Sequence, residues 1–332
     1  MPTALIQGSL PTKNAEFLRE MAGPHWDVLE WDPDKNSLGD FELLAAQADV
    51  IIGGELPLQK WPNLPKLRLY QVPWTGYDFC APEDFPAGVP VCNTFEHETA
   101  IAEYVLLGIL EWQIGLSKMN KSFRSHGWGN RWDSQFPFHG EIRGKTIGIV
   151  GYGHIGEQIA ERAKAFEMRV IGVRRRKGKC PDMLDWLGPP DRLEELLSES
   201  HFVVVACDLN QETRGMIDRK RLMRMRPDGV IINVARGEVI EEHALYDALS
   251  SRQIGGAIID VWYNYDERSQ TDFWPANYPF EKLDNVILSA HQSSWTKEQI
   301  ERRWTFIAGN MKRAVTGEPL ANLVFTGTQT GK

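Results

Sequence analysis

The sequence predicts an α/β protein built from two doubly wound parallel sheets. Three observations predict it. Short apolar runs alternate with stretches of helical periodicity along most of the chain, the pattern of parallel strands joined by crossover helices. A glycine cluster, Gly151-Tyr152-Gly153-His154-Ile155-Gly156, stands directly behind one apolar run and opens a helical one. The length of 332 residues, at roughly 150 per domain, suits two domains with cores of their own.

Taken in order, residues 4–7, 27–31, 49–52, 67–72 and 90–92 read as strands of a first region, with helices at 14–21 and 41–48; Gly53-Gly54 closes the third strand. A long helix follows over 99–119, where Ile101, Val105, Leu106 and Ile109 form an apolar face at helical spacing. Residues 123–138, with Trp128, Trp132, Phe136 and His126, read as an irregular exposed arm or connection, and neither His126 nor His139 has metal-ligand spacing. A second region carries strands at 146–150, 169–173, 201–206, 230–233, 256–261 and 286–288, with helices at 156–166, 193–197, 220–225 and 242–249. The last helix, 297–316, stops at Gly317, a common C-terminal cap, and is expected to return to the first domain. Domain limits of 1–115 plus 300–332 for one, and 116–299 for the other, follow.

Composition narrows the partners. Hydrophobic residues make up 42% and charged ones 25%, and the net charge is −8, which disfavours nucleic acid or an anionic membrane as partner. Four scattered cysteines (Cys80, Cys92, Cys180, Cys207) fit neither a disulfide framework nor a zinc site, so no metal is expected and a reducing cytoplasm is. No apolar run is long enough for a membrane span, and no signal peptide is evident.

The glycine turn carries the first chemistry. Between a strand and a helix, its first glycine permits the tight turn, its second admits a pyrophosphate to the backbone, and its third lets the helix pack on the strand. Free N–H groups at the helix start then face the phosphates. The next strand ends in Arg174-Arg175-Arg176-Lys177, with no carboxylate to accept ribose hydroxyls. Cations there suit a 2′-phosphate, so NADP(H) is expected in preference to NAD(H). Three polar residues follow other strands of the same region: Arg236 in Asn233-Val234-Ala235-Arg236-Gly237, Asp260 before Val261, and His291 after Ser289-Ala290. Ligands gather at the carboxyl ends of such strands. Arg236 suits a carboxylate clamp, and His291 a proton shuttle near neutral pH.

With these motifs in hand, the chain resembles the D-isomer-specific 2-hydroxyacid dehydrogenase family over nearly its whole length. The glycine turn, Gln211-Glu212-Thr213-Arg214-Gly215, Asn233 to Gly237, Asp260-Val261, Ser289-Ala290-His291 and the ending Gly317-Glu318-Pro319-Leu320-Ala321-Asn322 fall in family order, as does Asn93 through Glu103-Tyr104. The resemblance implies a flavodoxin-like substrate domain and a Rossmann NAD(P)-binding domain with a cleft between them, a homodimer, and hydride transfer to or from C2 of a 2-oxo or 2-hydroxy acid, with glyoxylate, hydroxypyruvate and larger 2-oxo acids all candidates. It implies Arg236 on the substrate carboxylate and carbonyl, His291 as acid/base, and Asp260 near the nicotinamide carboxamide. Gly54, Trp74, Thr75 and Gly76 are the further substrate-binding positions, the loop from Trp74 presenting backbone N–H groups. The cofactor-binding set is Gly151, Gly153, His154, Ile155, Gly156, Arg174, Arg175, Cys207, Thr213, Val234, Ala235, Asp260 and Ser293.

Two departures from the family stand out. Where the family places a Glu to pair with the catalytic histidine, this chain has Tyr265, a neutral phenol at pH 7, and Asp266 is the expected substitute, with Glu267 behind it. Twelve tryptophans are many for this length. Trp74 and Trp295 near the proposed site suggest an apolar pocket for an aryl or branched acid, set against ordinary core and dimer packing, which large aromatics dominate and which carries more weight. His97-Glu98 reads either as substrate-facing or as the start of the long helix. Alternatives to a 2-hydroxyacid dehydrogenase are oxidation of a formate- or phosphite-type acid on the same scaffold, and a non-catalytic dinucleotide-binding regulator.

Overall fold

A computed structural model describes residues 1–54, 58, 60–130, 138–265 and 273–329. The chain divides into two units, Met1–His97 with Thr296–Lys332, and Glu98–Trp295.

In the first unit, β1 (Thr3–Gln7), β2 (Asp27–Trp31), β3 (Val50–Ile52), β4 (Leu69–Gln71) and β5 (Pro90–Cys92) run parallel in the order β5-β4-β3-β1-β2, the flavodoxin-like arrangement. A C-terminal strand, Leu323–Thr326, adds antiparallel to β5. One face of the sheet buries Ala4 and Ile6 against Leu18 of the helix Ala15–Ala22 and against Trp304, Ile307 and Met311 of the helix Lys297–Thr316. The other buries Leu5 and Ile51 against Phe41 and Ala45 of the helix Leu38–Ala45. A reciprocal Ser37–Asp40 capping box starts that helix three residues earlier than its apolar pattern suggests.

The second unit carries β6 (Thr146–Val150), β7 (Arg169–Val173), β8 (Trp186–Gly188), β9 (Phe202–Val205), β10 (Val230–Asn233), β11 (Gly256–Ile259) and β12 (Val286–Leu288). All run parallel in the order β12-β11-β10-β9-β6-β7-β8. This is the dinucleotide-fold order, with its reversal between β6 and β9. Every residue of β6, β9, β10 and β11 is buried, because helices cover both faces.

Three expectations need correction. The long helix is two helices, Glu98–Ile114 and Leu116–His126, bent by 52° at Gly115, whose φ of +72° takes it out of the helical region. Residues 123–126 of the expected arm are therefore helical, whereas Trp132 and Phe136 lie outside the described residues. The helix Glu98–Ile114 also belongs with the second unit, not the first. Ile101, Val105, Leu106 and Ile109 pack on Ile147, Ile149 and Ile159, and the apolar stripe finds its core there. The same packing shows where its hydrophobicity goes: no single helix among the described residues is long and apolar enough to cross a membrane.

Candidate active site

In the second unit the hydrogen-bond ladder continues past the strand ends and aligns three loops. Asp260 N donates to Asn233 O at 3.2 Å, Ser289 N to Ile259 O at 2.9 Å, and His291 N to Asp260 O at 2.8 Å. Asp260 is the hub. Its fully buried carboxylate accepts from Ser289 Oγ at 2.5 Å, Gln292 N at 2.8 Å and Ser293 N at 3.0 Å. The loop so gripped holds His291 at φ +54°, a left-handed conformation uncommon for a residue with a side chain. Backbone is thereby tied down, although the residue as a whole keeps exposed surface.

The Arg236 turn is fixed by Asn233, whose Oδ1 accepts from Ala235 N at 3.1 Å and whose Nδ2 donates to Arg236 O at 3.0 Å. Arg236 Nη1 donates to Ala235 O at 2.8 Å. The next residue must be glycine, because a Cβ at Gly237 would fall on the Trp262 carbonyl. That carbonyl closes the circuit. Trp262 N donates to the Tyr265 hydroxyl at 2.9 Å, and the Tyr265 ring meets His291 edge-on, with centroids 5.6 Å apart. Arg236 and His291 are thus assembled around residues 260–265 at the ends of β10, β11 and β12. Desolvation by the packed surroundings, then the Arg236 cation, hold His291 below the ordinary histidine pKa, with Asp260 opposing. Tyr265 stands beside His291, and Asp266, the expected substitute carboxylate, lies outside the described residues.

The glycine turn occupies the reversal between β6 and β9. Gly151, at φ +92°, lies against the backbone of Cys207, where a Cβ would come within 2.6 Å of Cys207 Cα. Gly153 opens the helix His154–Ala165 and has open space beyond it, while Gly156 packs back on Ile149. Burial pushes the Cys207 thiol up to about 12, and the side chain packs partly buried against the apolar core of this unit. Thr213 braces its own loop, donating to Asp208 O at 2.6 Å and accepting from Asn210 N at 2.8 Å. Val234 and Ala235 are buried just past β10. Arg174, at the tip of β7, keeps a buried Nε without a partner among the described residues, and Arg175 reaches Glu212 at 3.3 Å on the surface.

The first unit has its own ordered loop. Thr94 N donates to Trp74 O at 3.2 Å and Asn93 Nδ2 to Thr75 O at 2.8 Å. Thr75 Oγ1 donates its one proton to Thr94 O at 2.8 Å, so the His97 ring, 3.1 Å away at Nδ1, must present an N–H to it. Among the described residues no acceptor meets the backbone N–H of Trp74, Thr75 or Gly76.

Residues 106–293 match the profile described as D-isomer specific 2-hydroxyacid dehydrogenase, NAD binding domain. A glyoxylate reductase of Pyrococcus furiosus is 32% identical over 97% of this chain and 95% of its own. The chain belongs to the D-isomer specific 2-hydroxyacid dehydrogenase family. The fold agrees: a family protein from Aeromonas salmonicida superimposes with a TM-score of 0.78 at 24% identity, covering 98% of this chain and 99% of that one. An NADPH-dependent glyoxylate/hydroxypyruvate reductase from Sinorhizobium meliloti, in complex with NADP and sulfate, does so with 0.76 at 19% identity over 98% of each chain. The present dehydrogenase is accordingly an NAD(P)-dependent oxidoreductase of 2-oxo and 2-hydroxy acids.

Its own residues fit the dinucleotide. The open space at Gly153, the start of the helix His154–Ala165 and an Arg174 Nε without a partner among the described residues lie just past the carboxyl ends of β6 and β7. Sequence reasoning missed one member of the site. Tyr104 meets Ser289 Oγ at 2.6 Å, and since Ser289 gives its proton to Asp260, the phenol is the donor. The two residues are far apart in sequence, and the only hint was that both fall in family motifs.

Proposed function

We propose that this dehydrogenase works as an NADPH-preferring reductase of small 2-oxo acids, glyoxylate and hydroxypyruvate first among them. Arg236 anchors the substrate carboxylate and His291 supplies the proton. The observation that carries this reading is the circuit through Asp260, Trp262 and Tyr265 that gathers Arg236 and His291 at adjoining strand ends. The names of the relatives support the substrate class. The orphaned Arg174 Nε, Arg175 and the absence of a carboxylate in residues 174–177 support the preference for a 2′-phosphate.

The nicotinamide, when bound, supplies hydride to C2 of the acid. Arg236 holds the carboxylate by paired N–H donors and so orients the neighbouring keto group. His291, as imidazolium, hydrogen-bonds the keto oxygen and transfers its ring proton there as the alcohol forms. Asp260 holds the histidine backbone, through its carbonyl oxygen and through the N–H groups of Gln292 and Ser293. Substitution by Tyr265 leaves His291 without the family's Glu at that position, yet the imidazole keeps a fixed neighbour.

A panel of 2-oxo acids assayed with NADPH and NADH in parallel tests the reading. Reduction of glyoxylate or hydroxypyruvate at higher kcat/KM with NADPH is expected. Tight NADPH binding with no turnover of any 2-oxo acid would instead mark a non-catalytic regulator, and turnover of formate or phosphite the alternative chemistry. Assembly as a homodimer, inferred from the family resemblance, is checked by sedimentation. Residence in the cytoplasm is inferred from four unpaired cysteines, and is checked by fractionation.

A further inference from the structure

Within the second unit, the helix Glu98–Ile114 lies along β11 in a register set by residues four apart, which share a helix face. Trp112 packs on Gly256, where a Cβ would fall on the indole. Gly108 packs on Ile258, whose Cδ1 would stand 3.0 Å from a Cβ on that glycine. Tyr104, the next member of the stripe, is thereby carried to the end of the strand, where its hydroxyl meets Ser289 Oγ at 2.6 Å. Ser289 is held at its N–H, its carbonyl and its hydroxyl. The N–H donates to Ile259 O at 2.9 Å, the carbonyl oxygen accepts from Trp262 Nε1 at 2.8 Å, and the hydroxyl donates to Asp260 at 2.5 Å. A serine hydroxyl can turn its one proton; a phenol donating to the same oxygen leaves Asp260 as the acceptor. Burial, opposed by the Ser289 bond and aided by Asp260, raises Tyr104 above the ordinary phenol pKa, so it keeps the proton it donates.

We propose that Tyr104 is a positioning residue for proton transfer: through Ser289 and Asp260 it fixes the loop that presents His291. This deepens the reductase reading and rests on its assignment of His291 as proton donor; Tyr104 itself gives no proton to the substrate. Asp260 aims its carboxylate at Gln292 N and Ser293 N, and these bonds hold His291 at φ +54°. Such backbone persists only where its surroundings over-determine it. With the phenol oxygen gone, the Ser289 proton can turn, the carboxylate loses its set orientation, and the loop relaxes toward ordinary φ. A displacement of about 1 Å at the reacting atoms costs up to about 10²-fold in rate. Arg236 sits on a different loop, braced by Asn233, and keeps its hold on the substrate carboxylate.

Tyr104→Phe removes one oxygen and keeps the packing of the ring. Wild type, Y104F, S289A and the double variant are compared with the 2-oxo acid that the substrate panel finds best. Steady-state kinetics, the single-turnover rate of NADPH oxidation, direct NADPH titration and thermal melting are measured for each. Y104F is expected to lower kcat and the single-turnover rate about tenfold, the scale of one hydrogen bond, while KM for the acid and NADPH affinity stay within about twofold, as for an interaction felt only in the transition state. S289A is expected to fall alike, and the double variant no further than S289A, because the two residues act in one chain. A folded Y104F with the wild-type single-turnover rate, whatever its melting temperature, would overturn the proposal, as would losses that multiply in the double variant. H291N in the same assays separates the two readings. If it turns over like wild type, the proton-donor assignment falls; if it is inactive while Y104F is normal, only the role of Tyr104 falls. If Y104F does not fold, S289A breaks the same chain from the other side, and an S289A rate equal to wild type overturns the proposal.

Discussion

The two units solve one topological problem in opposite ways. Each is a doubly wound sheet with a glycine at the carboxyl end of a strand bordering the reversal of strand order. In the second unit Gly151 is packed shut against Cys207, but Gly153 looks onto open space at a helix start, with Arg174 beyond. In the first unit both glycines are covered, Gly53 by Gln7 and Gly54 by Trp74. The same fold logic thus leaves open space at a helix start in one case and a covered strand end in the other. Strand order locates the crevice; the side chains that fill it decide what it admits.

The largest effect that separates the two is chemical. His291→Asn is expected to lower kcat for 2-oxo acid reduction by about 10²–10⁴-fold while NADPH affinity holds, as steady-state rates and direct cofactor titration would read. Loss of both together would mean the loop collapsed. Next comes Asp260→Asn, which puts an amide where two backbone N–H groups need acceptors. The cost expected is about 1–3 kcal/mol of stability for each group left unsatisfied, seen in denaturant melts, with kcat falling as His291 loses its anchorage. Arg174→Ala sharpens the cofactor side. NADPH should bind about tenfold more weakly, the value of one charge-assisted bond, and NADH no differently; equal weakening of both would remove the 2′-phosphate assignment.

The smallest effect is a shift in pH. Reduction consumes the imidazolium, and desolvation together with Arg236 favours the neutral ring, so activity should fade as pH rises through a pKa below the ordinary 6.5. Tyr265→Glu places an anion beside the ring and should move that limb upward by about one unit or more. A profile of kcat/KM against pH that is identical in the variant would show that residue 265 is electrostatically remote from His291.

Much of this was legible in the chain. The glycine turn, the cations after β7 and the polar residues after β10, β11 and β12 announce themselves because local rules place them: a strand must end, and the residues just beyond its end face the crevice. Other features depend on partners distant in sequence. The Tyr104–Ser289 bond joins a helix to a strand end, and the Trp74–Gly54 contact joins two loops, so neither leaves a spacing to read. Leu323–Thr326 is a strand only because β5 offers it an edge. A glycine costs a helix interior only about 1 kcal/mol, so Gly115 within a helical pattern leaves no clear signal of the bend it marks.

Tyr104 gives the last consequence. Through Ser289 and Asp260 it ties the proton-delivering loop to the helix Glu98–Ile114, and that helix is seated on the central strands. Catalytic competence and the integrity of that framework will fade in step on heating or in denaturant. Residual turnover in a partly inactivated sample should therefore count the molecules whose nucleotide-binding half is still whole.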